Sequence, residues 1–306
     1  MGKPSLSGKI TIKGTRNADD IAVVAQGVEV NGNLKAYGDA QIDAGFIIKG
    51  DAGDDTLTGG RGPDEIDGGG GNDRLSGGEG ADKLLGGDGN DVLAGTMIDR
   101  FDGGRGIDTL DLSGSPTAVG VDLSGFGTFW TDVDITRAPN GYLAVDLGED
   151  QLSGAAKAFE NIIGSSYNDW LVGNGLENIL RGGGGDDAIS ATHNDGVVDQ
   201  LFGEAGNDEL YAGSGNDALT GGGGADKFVF DPANRDGDWV IRDYSKAEGD
   251  KVLLFPYDGS ISWNAVDHLG TPSLQATFDG GDTLTFVGIT DYSQIDIAAT
   301  MAWGGP

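Results

Sequence analysis

Five consecutive nonapeptides run from Gly50 to Ala94, and each ends a glycine-rich turn with an aspartate: Asp55, Asp64, Asp73, Asp82 and Asp91. The first six positions follow Gly-Gly-x-Gly-x-Asp, as in Gly68-Gly69-Gly70-Gly71-Asn72-Asp73. Three more follow as x-U-x with U large and apolar, as in Arg74-Leu75-Ser76. A strict short period restricts the chain to a solenoid whose coils stack on one another. Glycines at positions 1, 2 and 4 let six residues turn back sharply with carbonyls facing inward and the backbone close to an ion. Of the three extended residues only the middle one points inward, because side chains alternate across a strand. Two nonapeptides therefore make one coil. The spacing predicts Leu57, Leu75 and Leu93 stacked on one sheet and Ile66 and Leu84 on the facing one, with turns eighteen residues apart lying side by side. A flexible linker would share the glycine content but has no reason to keep an apolar residue at position eight.

One inward apolar side chain per nine residues buries too little surface to offset the ordering of those residues. Aspartates stacked turn over turn make the metal-free coil worse by repulsion. A hard divalent ion that takes six to eight oxygens from carboxylates and carbonyls reverses that sign, so binding and folding should be one event. The repeat resembles that of the RTX family of secreted bacterial proteins. The resemblance implies a parallel β-roll with Ca2+ between its coils.

The expected metal-binding aspartates are Asp55, Asp64, Asp73, Asp82, Asp91, Asp108, Asp187, Asp208, Asp217 and Asp226. The turn glycines expected beside the ions in the first array are Gly60, Gly62, Gly69, Gly71, Gly78, Gly80, Gly87, Gly89, Gly104 and Gly106. Those in the second are Gly183, Gly185, Gly206, Gly213, Gly215, Gly222 and Gly224. Counting adjacent turn pairs gives about six to eight ions, which would offset roughly 12 to 16 charges.

Those charges are abundant, since 50 acidic and 19 basic side chains leave a formal charge of -31. Such a surface excludes nucleic acid and anionic membranes as default partners and favours cations. Cysteine is absent, which removes disulfide, zinc-thiolate and thiol-nucleophile chemistry. Met1 to Leu6 leads into no apolar run of signal-peptide length, and no segment is long and apolar enough to span a bilayer. The RTX resemblance implies export through a type I channel that reads a C-terminal signal, and so a secreted, extracellular or cell-surface protein.

Five segments are expected, and the fold class is all-β: two parallel β-roll arrays, a strand-rich insert and β-rich caps. Residues 1–48 hold short β-rich runs and form an N-terminal cap. Residues 49–111 form the first roll, whose tandem run stops at Gly95. There Thr96 to Asp102 loops out before one more good repeat, Gly103 to Asp111. Residues 112–163 form the insert, with a hairpin over 131–147 around Pro139-Asn140-Gly141. Residues 164–229 form the second roll. It opens with two poor units containing Asp169 and Asn178, continues through Asp187 and a loop around His193, and ends with units inward at Leu210, Leu219 and Phe228. Residues 230–306 resemble the C-terminal cap and secretion region of RTX proteins.

No catalytic motif is present. His193 and His268 are the only histidines, and neither His-Glu-x-x-His nor Gly-x-Ser-x-Gly occurs. Trp130, Trp170, Trp239 and Trp263 suit cap and insert cores better than a sugar platform. The expectation is a non-enzymatic, calcium-binding extracellular structural or adhesion protein, with self-association or extracellular polysaccharide as further partners. The alternative is a module of a polysaccharide-modifying enzyme such as an alginate epimerase or lyase, for which Asp132 and Asp134 in the insert are first probes.

Overall fold

Alternation of inward and outward residues builds two stacks of short strands. A computed structural model describes residues 9–25, 27–96, 98–123, 143–144, 159–191, 196–232, 237–254, 257 and 259–299. The chain divides into two compact units, Met1–Pro116 with Ala144–Asn161, and Thr117–Leu143 with Ile162–Pro306.

In the first unit, strands Ile10–Lys13, Phe46–Lys49, Glu65–Gly70, Lys83–Asp88 and Arg100–Arg105 form one parallel sheet in that order. The facing sheet runs Asp20–Val24, Thr56–Thr58, Arg74–Ser76, Val92–Ala94 and Thr109–Asp111, also parallel. The predicted columns are present: Leu57, Leu75 and Leu93 pair in register on this sheet, and Ile66 pairs with Leu84 on the other. All five are at most 1% exposed.

Two departures from the expected organisation concern this unit. The coil pattern starts well before residue 49, because Ile12 pairs with Ile48 and Ile21 with Leu57. The stretch between Val24 and Phe46 leaves the coil, as the antiparallel strands Gly27–Val30 and Asn33–Ala36 and the four-residue helix Asp39–Ile42. Thr96 to Asp102 does not loop out either. Phe101 pairs with Leu84 and is 2% exposed, so the segment is a repeat one residue short. The missing residue is absorbed by the turn, and the strand keeps its phase.

The second unit repeats the plan. Val119–Asp122, Trp170–Val172, Ala188–Ser190, Glu209–Tyr211, Lys227–Phe230, Lys251–Leu254 and Ile297–Ala299 make one parallel sheet. Ile179–Gly184, Gln200–Ala205, Ala218–Gly223, Asp238–Ile241 and Thr283–Val287 make the other, extended by the antiparallel strands Thr271–Phe278 and Ile261–His268. Val121 pairs with Leu171, so part of the expected insert already belongs to the roll. Beyond residue 229 the roll continues, with Ile241 beside Leu219 and Val252 beside Phe228. The hairpin over 131–147 falls outside the described residues except for strand Leu143–Ala144, and Trp130 and His193 fall outside them altogether.

Trp239 is fully buried, donates from Nε1 to the Gly213 carbonyl at 3.2 Å and packs 5.4 Å from Phe230. Trp263 packs 6.0 Å from Phe286, and Trp170 is half-buried on its strand. If Phe101 is a core residue rather than part of a loop, Phe101→Ala should cost about 3–5 kcal/mol. Urea unfolding of the calcium-loaded protein measures this; a midpoint equal to that of the parent would return the segment to the surface.

Candidate metal centre

Position six is where each turn hands over to a strand, and its side chain lies along the stack rather than out of it. Asp55, Asp64, Asp73, Asp82, Asp91, Asp108, Asp187, Asp208, Asp217 and Asp226 are all at most 2% exposed. One oxygen of each carboxylate staples neighbouring coils. Asp73 Oδ1 accepts the Asp55 N–H at 2.8 Å, Asp91 Oδ1 the Asp73 N–H at 2.8 Å, and Asp82 Oδ1 the Asp64 N–H at 2.7 Å. In the second unit Asp187, Asp208 and Asp226 take the N–H of Asp169, Asp187 and Asp208 at 2.7–2.9 Å.

The second oxygen has a different fate. Oδ2 of Asp55, Asp73, Asp82, Asp91, Asp108, Asp187, Asp208 and Asp226 is buried without a hydrogen-bond donor. Leaving a buried charged group unsatisfied costs several kcal/mol, on the order of 3–5. These oxygens crowd the first glycine of their own turn. A Cβ on Gly68 would lie 2.3 Å from Asp73 Oδ2 and 2.7 Å from the Gly86 carbonyl of the next coil. A Cβ on Gly182 would lie 2.1 Å from Asp187 Oδ2 and 2.8 Å from the Gly203 carbonyl. Carboxylate and carbonyl oxygens thus converge where a side chain would otherwise stand.

Burial, helped by carboxylates on adjacent coils and opposed by the backbone N–H staple, pushes these acids upward. Asp73 and Asp226 rise to about 6, Asp82, Asp108 and Asp208 to about 7, and Asp187 to about 8. Burial raises Asp55, Asp64 and Asp91 as well.

The donor set is all oxygen, and among the described residues no three His, Cys, Asp or Glu side chains gather as a cluster. Any ion must therefore be held by an aspartate Oδ2 together with turn carbonyls such as those of Gly68 and Gly86. This hard, many-oxygen set fits calcium rather than zinc or a redox metal. Bound there, the ion would supply the positive charge that the orphaned oxygens lack.

The expected glycines divide. Most hold a positive φ, such as Gly87 at 117° and Gly89 at 139°, and stack against the carbonyls of Gly69 and Gly71 one coil back. Gly60, Gly62 and Gly213 do not. A Cβ on Gly60 would meet Val23 at 2.7 Å and one on Gly62 the Asp43 carbonyl at 2.6 Å, because the excursion between Val24 and Phe46 packs on that turn. The Gly213 carbonyl is taken by Trp239.

The columns also contain members that the glycine pattern does not pick out. Asp55 Oδ1 accepts the Asp19 N–H at 2.6 Å, Asp99 Oδ1 the Asp82 N–H at 2.8 Å and Asp250 Oδ1 the Asp226 N–H at 3.0 Å. Asp199 Oδ1 accepts the Asn178 N–H at 2.8 Å, and Glu160 Oε2 the Asp108 N–H at 2.8 Å. Each is followed two residues later by an inward apolar side chain: Ile21, Phe101, Val252, Leu201 and Ile162. That spacing, and not the glycines, is the signal they retain. Position five, variable by its residue identities, forms a second column: Asn72 N–H donates to Asp54 Oδ1 and Asn90 N–H to Asn72 Oδ1, both at 2.8 Å.

The raised acidities set a pH dependence. Without metal, the native aspartates keep protons that the unfolded chain, titrating near 3.8, has released. Stability contributed by this protonation is therefore complete at low pH and lost as pH rises through about 6 to 8. In chelator, the thermal midpoint followed by circular dichroism should be higher at about pH 5 than at about pH 8. In excess calcium the order should reverse, because protons compete with the ion. A chelated sample gaining stability toward pH 8 would contradict the burial described.

A sequence profile of the RTX calcium-binding nonapeptide repeat matches the chain in four copies, over residues 49–84, 67–96, 160–192 and 194–228. Among solved structures, the chain is similar to the extracellular lipase LipA from Serratia marcescens, at 20% identity and a TM-score of 0.22. That match covers 83% of this chain and 45% of the lipase, so the chain spans less than half the lipase's length. Comparison with curated proteins gives no match.

Proposed function

The chain carries RTX calcium-binding nonapeptide repeats, and from that premise we propose that it is a secreted structural or adhesion protein whose rolls take shape on meeting calcium. The observation that carries this reading is the row of buried aspartate oxygens without donors. In a compartment with little free calcium these oxygens oppose coil stacking, and the chain stays extended and suited to export through a type I channel. Outside, about six to eight ions neutralise the columns and the coils close.

The role is non-catalytic, since the residues that distinguish the chain are spent on turns and staples and no hydrolase or zinc-protease motif is present. A surface-layer or matrix component would self-associate through its rolls. An adhesin would remain monomeric and bind extracellular polysaccharide.

Size exclusion combined with circular dichroism across a calcium titration tests folding and assembly together. Calcium should increase the β signal and reduce the hydrodynamic radius, with assembly at micromolar protein marking the surface-layer role. Asp73→Ala, in the middle of the first column, should shift the titration to higher calcium. A chelated sample that keeps its full β signal, or a variant curve that superimposes on the parent's, would refute the reading.

A further inference from the structure

Two kinds of turn recur in the two units, and they differ in the second residue of the turn. In eight turns whose Oδ2 has no donor, that residue holds a positive φ. In the first column of the first unit, Asp51 is at 77°, Gly69 at 107°, Gly87 at 117° and Gly104 at 103°, for the turns of Asp55, Asp73, Asp91 and Asp108. Gly78 at 90° does the same for Asp82. In the second unit Gly183 at 103°, Glu204 at 77° and Gly222 at 96° serve Asp187, Asp208 and Asp226. Asp51 and Glu204 show that backbone shape and not glycine is the common factor. A left-handed conformation costs a non-glycine residue roughly 1–2 kcal/mol, yet both keep it.

In five other turns the second residue lacks a positive φ and turns its own N–H onto the carboxylate. Thr15 N–H donates to Asp19 Oδ2 at 2.5 Å, Gly60 N–H to Asp64 Oδ2 at 2.7 Å and Thr96 N–H to Asp99 Oδ2 at 2.7 Å. Ser165 N–H donates to Asp169 Oδ2 at 2.5 Å and Ser245 N–H to Asp250 Oδ2 at 2.7 Å. A backbone N–H there presents positive charge where a cation would have to approach, and it satisfies the oxygen that would otherwise need one.

The closed turns stand at column ends. Asp19 precedes Asp55 in the first column, Asp64 and Asp99 flank Asp82 in the second, and Asp169 and Asp250 flank the open turns of the second unit. A terminal turn has a neighbour on one side only, so an ion beside it would lack half its ligands. In the Asp64 turn the Arg61 guanidinium pairs with Asp39 at 3.2 Å and Asp43 at 3.1 Å, tying the turn to the excursion that packs on it.

We propose that calcium is bound by the carboxylates of the turns whose second residue holds a positive φ, and that the end turns closed by their own N–H take no ion. Asp64 is the sharpest case, because Gly59-Gly60-Arg61-Gly62-Pro63-Asp64 matches the repeat pattern fully. The inference rests on the calcium reading above and assigns its sites.

The test compares Asp64→Asn and Asp73→Asn with the parent, counting calcium per chain by mass spectrometry after equilibration and checking folding by circular dichroism. Asp73→Asn should lose at least one ion and Asp64→Asn none. Equal losses overturn the proposal, whereas a parent that binds no calcium overturns the functional reading instead. Should Asp64→Asn fail to fold, anomalous diffraction from parent crystals grown in calcium decides. A peak within about 2.3–2.6 Å of Asp73 Oδ2 and none at that distance from Asp64 or Asp169 is the expected result. A peak bonded to Asp64 is the contrary one.

Discussion

A carboxylate buried between coils, with one oxygen bonded and the other not, is the interaction on which the rest of the molecule depends. The bonded oxygen ties each turn to the one before it, as Asp73 does for Asp55, and fixes the register of the strands that follow. The other oxygen faces carbonyls and its counterparts on adjacent coils, so the same residue that orders the stack also opposes it electrostatically. A proton or a cation resolves the conflict, and only a cation does so while preserving the charge that attracts it. A cation bound there would couple to the fold for this reason.

Register survives changes in turn length because the strand makes two demands that the turn does not. The carboxylate must meet the N–H of the coil before it, and the apolar residue two positions later must enter the column. Steps of 17 residues from Asp82 to Asp99 and 21 from Asp187 to Asp208 satisfy both, as does the step of 24 from Asp226 to Asp250. Extra or missing residues are taken up at the turns, where the backbone borders solvent.

Growth of a parallel stack has no intrinsic stop, and in each unit one sheet ends where the chain switches to local antiparallel pairing. Gly27–Val30 and Asn33–Ala36 cover one edge in the first unit, and Thr271–Phe278 with Ile261–His268 one in the second. Hairpins serve here because they pair with their own neighbours and present no vacant repeat position to a further coil. Asn31 ends the first column by donating from Nδ2 to Asp19 Oδ1 at 2.6 Å.

The tandem repeats alone made the roll, its two apolar columns and the oxygen-only character of the site legible, because a period of nine with alternating side chains admits one geometry. Asp19, Asp99, Asp199 and Asp250 were hidden, since their turns have lost most of the glycines while keeping the carboxylate and its apolar partner. Gly60 and Gly62 matched the pattern yet adopt another conformation, because Val23 and Asp43, distant by the rule of the repeat, pack against them. Local periodicity thus determined which residues face inward and what kind of ion the turns suit. At Asp64 it was tertiary contact that closed the turn, since its residues match the repeat fully and only what packs on Gly60 and Gly62 sets it apart.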